Sequence, residues 1–422
     1  MPPKIHKTEL DSGLRVVTES MPSVRSVSVG VWLDAGSRHE AVIDGGMTHF
    51  IEHMVFKGTD RFSARQLACE IDGLGGHLDA FTSKETTAFT AKVLDEHWPR
   101  ALDILADMVQ NPTFAEDEIE REKGVILEEL KMDEDNPEYL LGTTVAGSFW
   151  QGHGMGRPVI GTTESIRGFG QGRLRQFFAR TFRAPRLLLA AAGNVDHAEF
   201  ALAAERHFGS LGAAEAARAG SPPEARAEIV LHDKPSLEQV HLLLGAETFS
   251  AVDPRRFAGL VLSTMLGGGF SSRLFQKIRE EAGLAYSVYS DLGLYSDTGC
   301  LSVGLGTALD AVPTALEYVL REFRDLKGGP PPESEIRRAK DHLKGSLMLG
   351  LESTSSRMAN LAHQEAVHGR IRTLDEISDD IESVTAPEVE ALANEWFQQD
   401  RIALTVLGNL QGLRIERADL AC

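Results

Sequence analysis

Apolar residues recur along this chain with two different periods. Over residues 25–33, Val27, Val29, Val31 and Leu33 fall on alternate positions, which predicts a half-buried strand. The run Gly45-Gly46-Met47-Thr48-His49-Phe50-Ile51-Glu52-His53-Met54-Val55-Phe56-Lys57 switches to a helical period. Met47, Phe50, Ile51, Met54 and Val55 form one stripe of that helix, and the stripe must face a core. Further helices are predicted over 62–74, opened by Ser63 and closed by Gly75-Gly76, over 96–111, stopped by Pro112, and over 114–131. Residues 77–93 read as two strands around Ser83-Lys84-Glu85. An irregular stretch at 136–163 leads to a helix at about 164–180, a buried strand ending at Gly193-Asn194, and a helix at 198–211.

The same order then returns. Val240, Leu242 and Leu244 alternate as Val27, Val29 and Val31 do. Glu335-Ile336 enters a helical pattern as Glu118-Ile119 does, and Gly408-Asn409 closes a strand as Gly193-Asn194 does, at a near-constant spacing. The pattern predicts an α+β fold of two homologous domains, 1–212 and 228–422, joined by a Gly/Ala/Pro-rich linker at 213–227. Each domain would be a mostly antiparallel sheet covered by helices. The stretch 257–266, which corresponds to the helix at Met47, carries neither histidine nor acid. Only the first half keeps that chemistry.

Composition narrows the classes of partner. With 422 residues and a net charge of −19, the surface repels phosphate backbones, so nucleic acid is excluded as a natural partner. Cys69, Cys300 and Cys422 are odd in number and far apart, which suits a reducing compartment rather than a disulfide framework. Residues 1–13 are polar, without a signal or transit pattern, and no apolar run reaches membrane-spanning length. A cytoplasmic location is the expectation.

Candidate chemistry begins with His49 and His53. Four residues apart, they stand on one helix face and can converge on one ion, with Glu52 placed to reach a water rather than the metal. The plainer reading is a buried helix with two hydrogen-bonded histidines, and a third ligand decides between them. In 114–131 the apolar stripe of Ile119, Ile126 and Leu130 also carries Glu122 and Glu129. Carboxylates on a core-facing stripe are costly unless paired or metal-bound. That makes Glu129 the third ligand and Glu122 an acid that orients an imidazole. The competing reading pairs both acids with Arg121 or Lys123 on an exposed face. Glu128 projects with Arg121 and Val125, toward solvent.

Three runs carry a family resemblance: Leu10-Asp11-Ser12-Gly13-Leu14-Arg15-Val16-Val17, Val29-Gly30-Val31-Trp32-Leu33-Asp34-Ala35-Gly36-Ser37-Arg38, and His49-Phe50-Ile51-Glu52-His53-Met54-Val55-Phe56-Lys57-Gly58-Thr59. With Glu122-Lys123-Gly124-Val125-Ile126-Leu127-Glu128-Glu129, the chain resembles the inverzincin metallopeptidases of the pitrilysin and insulinase class. It looks closest to their short bacterial members, which are similar to the β-subunit of the mitochondrial processing peptidase.

The resemblance implies one zinc ion per chain held by His49, His53 and Glu129, Glu52 as general base, and Glu122 in support. It also implies an edge strand containing Asp79, Ala80 and Phe81 that pairs with the substrate backbone, although relatives usually have Asn where this chain has Asp79. Arg279 and Tyr286, seven apart, would bind substrate and a tetrahedral oxyanion. The activity implied is endopeptidase action on peptides or extended segments inside a closed chamber. Longer members carry four such domains, so this chain is expected to form a homodimer of about 92 kDa, twice 46.0 kDa. A heterodimer with a zinc-less homologue is the alternative. The rival class is a non-catalytic assembly subunit of the same fold; loss of a ligand or of the base would favour it, and all four residues are present.

Overall fold

The structure, a computed structural model, describes residues 4–212 and 220–422; residues 213–219 of the expected linker lie outside the described residues. Two mixed sheets organise the chain. The first is built from β1 (Lys4–Glu9), β2 (Arg15–Ser20), β3 (Ser26–Leu33), β4 (His77–Thr82), β5 (Thr87–Leu94) and β6 (Leu187–Gly193), in the order β1-β2-β6-β3-β5-β4. The second uses β7 (Ile229–Asp233), β8 (Val240–Thr248), β9 (Ala285–Leu294), β10 (Gly299–Thr307) and β11 (Ile402–Gly408), in the order β7-β11-β8-β10-β9. Apart from β1, the two orders correspond strand for strand. Each sheet has one parallel pair, β2 with β6 and β7 with β11, in an otherwise antiparallel ladder. The expected duplicated α+β fold is what the chain adopts.

The correspondence reaches the backbone. Gly193 and Gly408 end equivalent strands at φ 136° and 156°, and a Cβ at either would run into the backbone of Ser26 or Gln239. Glycine is needed twice because the same strand end passes the same neighbour twice.

In the first sheet, one face packs beneath α1 (Met47–Met54), α2 (Ala64–Gly73), α3 (Trp98–Gln110) and α4 (Glu116–Asp135). The sequence places these well, with Ser63 capping α2 through the Gln66 N–H. α4 starts later than expected because Phe114 sits at φ 46°, outside the helical region. The expected helix over 164–180 is two helices, Thr163–Arg167 and Gln171–Thr181, broken around Gly168-Phe169-Gly170.

The stretch 136–163 is not irregular throughout. It begins with α5 (Pro137–Phe149), where the Asn136 side chain accepts from the Glu138 and Tyr139 N–H groups and Pro137 occupies the first turn. Leu141, Val145 and Phe149 of α5 lie against Leu243, Ala403 and Leu407 of the second sheet. The helix Thr354–His368 does the reciprocal thing on the first sheet. Its Met358, Leu361 and Ala362 pack on Val17, Trp32, Leu188, Ala190 and Ala192, and Ser28 Oγ lies 2.9 Å from Thr354 Oγ1. Buried Glu365 of that helix pairs with Lys7 at 2.7 Å and Arg15 at 3.3 Å.

The compact units are therefore not the two linear halves. One comprises 1–132, 157–221 and 350–371; the other comprises 133–156, 222–349 and 372–422. The expected division 1–212, 213–227 and 228–422 follows the duplication, whereas the compact units exchange two segments across it. Each exchanged helix buries an apolar face against the other half's sheet. Among the described residues, no helix is long and apolar enough to cross a membrane.

Candidate metal centre

Met47, Phe50, Ile51 and Met54 of α1 are buried, and Phe50 meets Phe169 edge to face at 5.3 Å. This anchoring turns His49, Glu52 and His53 away from the core. In α4, Ile119, Glu122 and Ile126 are the buried positions, one stripe of the helix, and Glu129 follows two turns beyond Glu122. Glu128 pairs instead with Lys131 at 2.6 Å on the exposed side, and Lys123 pairs with Glu120. The competing assignment of Glu122 to a surface ion pair with Arg121 or Lys123 is not what the structure contains, because its partners are His53 and Lys57.

The two helices bring His49, His53 and Glu129 together. One donor atom from each lies within 4.8 Å of the others. His49 Nε2 is 3.7 Å from one Glu129 oxygen and His53 Nε2 is 3.6 Å from the other. The rings of His49 and His53 are tilted, with centroids 4.7 Å apart.

Glu122 sets the state of His53. Its carboxylate lies 2.9 Å from His53 Nδ1 and can only accept, so Nδ1 is the donor and Nε2 is the nitrogen that faces Glu129. Burial works to raise the Glu122 carboxyl, but His53 and Lys57, at 2.7 Å from its second oxygen, together hold it below its ordinary value. His49 is kept neutral by its surroundings. Burial, helped by the neighbouring His53, lowers its pKa to about 4. Among the described residues its Nδ1 is buried without a hydrogen-bond partner, so no side chain there orients this ring as Glu122 orients His53.

Two imidazoles and one carboxylate converging at this range form an N₂O donor set that fits a zinc ion with a position left open. Nothing in the set is too bulky or too distant to serve, and the Glu122 contact at His53 Nδ1 turns the other ring nitrogen toward the cluster.

Glu52 stands beside this cluster, where Thr82 Oγ1 donates to it at 2.5 Å. Burial raises its carboxyl, with the Thr82 hydroxyl opposing. Thr82, Lys57 and the partners of α1's first turn are missed by motif reasoning alone. Thr82 is legible by alternation: in β4, Leu78, Ala80 and Thr82 point inward, whereas His77, Asp79 and Phe81 are exposed.

β4 is an edge strand whose ladder joins it to β5 alone, with Ala80 opposite Phe89. The expected substrate residues Asp79, Ala80 and Phe81 thus lie on a strand with one open edge. Arg279 and Tyr286 belong to the other unit. They are brought together with each other, the Arg279 guanidinium lying 4.6 Å from the Tyr286 ring centre and 4.8 Å from that of Phe275. Tyr286 is 80% exposed, so its hydroxyl is accessible to solvent.

Known proteins resemble this chain along most of its length. A family model described as insulinase (peptidase family M16) matches residues 15–163, and one described as the peptidase M16 inactive domain matches 169–343. An uncharacterized zinc protease of Bacillus subtilis is 40% identical over 94% of this chain and 96% of its own length. Another, of Mycobacterium leprae, is 41% identical over 95% and 91%. Among solved structures, a protease from Helicobacter pylori superimposes with a TM-score of 0.89 at 21% identity, covering 96% of this chain and 99% of that one. A chain of complex III2 from Candida albicans gives 0.87 at 20%, covering 99% and 100%.

Proposed function

The chain belongs to the insulinase family of peptidases, family M16, and from that premise we propose that it is a zinc-dependent endopeptidase acting on peptides or extended segments. The observation that carries this reading is the convergence of His49, His53 and Glu129 within 4.8 Å, with Glu52 held beside them by Thr82.

His49, His53 and Glu129 would hold one zinc ion per chain. Zinc bound there supplies a Lewis acid that polarises the scissile carbonyl and acidifies a water molecule. Glu52 takes the proton of the attacking water and delivers it to the leaving amine, and its raised carboxyl suits both directions of transfer. Glu122 keeps the His53 proton on Nδ1, and Lys57 keeps Glu122 ionised. The substrate backbone adds to the open edge of β4, with Asp79, Ala80 and Phe81 beside it. The net charge of −19 favours basic peptides. The test is hydrolysis of a quenched fluorogenic peptide, abolished by chelator and restored by added zinc. The fold likeness to the complex III2 chain supports the second reading, a non-catalytic assembly subunit, and zinc-independent silence in that assay would favour it.

Arg279 and Tyr286 we assign to substrate backbone and oxyanion. Arg279→Ala or Tyr286→Phe is expected to lower kcat/KM by about 10²-fold, on the scale of losing one such donor, with zinc content unchanged. We further propose a homodimer, with a heterodimer containing a zinc-less homologue as the alternative, in the cytoplasm, where three scattered free cysteines stay reduced. Light scattering checks the first point. Mixing Glu52→Gln chains with Arg279→Ala chains, each impaired alone, checks whether each centre is completed by the partner, because activity above that of either variant requires a shared site.

A further inference from the structure

We infer that Glu40 is a positioning residue for the metal centre, fixing the first turn of α1 and tying that turn to the end of the β4 edge strand. This rests on the reading of His49, His53 and Glu52 given above.

α1 is only eight residues long, and its N-cap is Gly46, at φ 87°, with no side chain to cap the first turn. Glu40 supplies the missing acceptor from outside the helix. One of its carboxylate oxygens accepts the Gly46 N–H at 2.8 Å and the other accepts the Thr48 N–H at 2.7 Å. Glu40 is 5% exposed, and burial pushes its carboxyl up to about 7 against the pull of these two N–H groups. A carboxylate held there at a solvation penalty, with both oxygens engaged, is specific to this geometry.

His49 is the third residue of the turn that Glu40 caps. His53 is oriented directly by Glu122, whereas His49 Nδ1 has no partner. The direction of His49 is therefore inherited from its backbone, and Glu40 is the group that fixes that backbone.

The segment carrying Glu40 is itself clamped to the β4–β5 turn. The Ser37 and Arg38 N–H groups donate to the carbonyls of Ser83 and Lys84 at 3.1 and 2.9 Å, and Arg38 pairs with Glu85. Lys84 Nζ donates to the Arg157 carbonyl, and Arg157 donates to the Glu40 carbonyl. One residue before that turn, Thr82 holds Glu52. The end of β4 thus grips α1 twice, at its start through Glu40 and at Glu52 through Thr82. Two grips fix the rotation of a short helix about its axis, and displacements near 1 Å in such a site cost about 10²-fold in rate.

The test compares Glu40→Gln with Glu365→Gln in the full chain. Glu365 is a buried carboxylate of the same unit that pairs with Lys7 and Arg15 away from the cluster. Gln can accept only one of the two N–H groups. Glu40→Gln is expected to weaken zinc affinity, measured by chelator competition, about 10- to 100-fold, as for loss of a ligand-orienting group. It should lower kcat with KM changed less than about twofold. It should also speed amide exchange at Thr48 and His49 in the metal-free protein. Glu365→Gln should lower Tm comparably while leaving zinc affinity and kcat within about twofold. Equal effects of the two variants on zinc affinity per folded chain would overturn the inference, as would faster exchange at Thr48 with affinity unchanged. If Glu40→Gln does not fold, Glu40→Asp, too short to reach both N–H groups, is read the same way. Absence of zinc binding by the unmodified chain would instead overturn the metal-centre reading itself.

Discussion

Glu52→Gln is expected to retain one zinc per chain and to hydrolyse a fluorogenic peptide about 10²- to 10⁴-fold more slowly, the range for loss of a general base. The substitution keeps the volume of the side chain and an oxygen that can still accept from Thr82, which donates to Glu52 at 2.5 Å. It leaves His49, His53 and Glu129 untouched, so metal content and activity should part company. Glutamine cannot take a proton from water at neutral pH, and α1 carries no other acid. Measuring zinc by elemental analysis beside kcat settles the role. Activity within about tenfold of the unmodified enzyme would assign the base elsewhere, and parallel loss of zinc would make Glu52 a ligand.

Glu129→Gln is the second large effect. Removing one of three donors should weaken zinc binding by more than the 10- to 100-fold expected for Glu122→Gln, whose carboxylate acts through His53. Glu128→Gln, at a position paired with Lys131 on the exposed side, should change affinity less than about twofold. The ordering Glu129, then Glu122, then Glu128 is what chelator competition should return. Dependence of metal on Glu128 would refute the assignment of α4's faces.

The site is legible in the sequence because it is written in helical periods. His49 and His53 at i and i+4, and Glu122 and Glu129 seven apart, each report a face, and a face is a local property of sequence. Glu122 on a buried stripe demands partners, and they are His53 and Lys57. Contact between elements is what the sequence does not disclose. Glu40 precedes α1 in a segment without periodicity, and nothing local says that its carboxylate turns back to Gly46 and Thr48.

α5 escapes for a different reason. Gly142, Thr143, Thr144 and Gly147 weaken its helix propensity, and Leu140, Leu141, Val145 and Phe149 blur its stripe. It is helical because the second sheet gives it a surface. Its start signal, Asn136 before Pro137, is present all the same. The destination of Thr354–His368 is beyond pattern altogether, since an apolar face names no partner.

That exchanged helix has a consequence for how the protein is made. The first sheet's second face, with Val17, Trp32, Leu188 and Ala190, stays open until Met358, Leu361 and Ala362 arrive, and Ser28 waits for Thr354. A ribosome delivers those residues only after most of the strands of the second sheet have been translated. At roughly 5–20 residues per second, the stretch from β6 to this helix takes about ten seconds or more, during which the growing chain carries an uncovered apolar sheet. A fragment ending near residue 212 would keep that exposure permanently and should aggregate or require a chaperone. Supplying residues 350–371 as a separate peptide should rescue its solubility. The first unit, although begun first, is finished late.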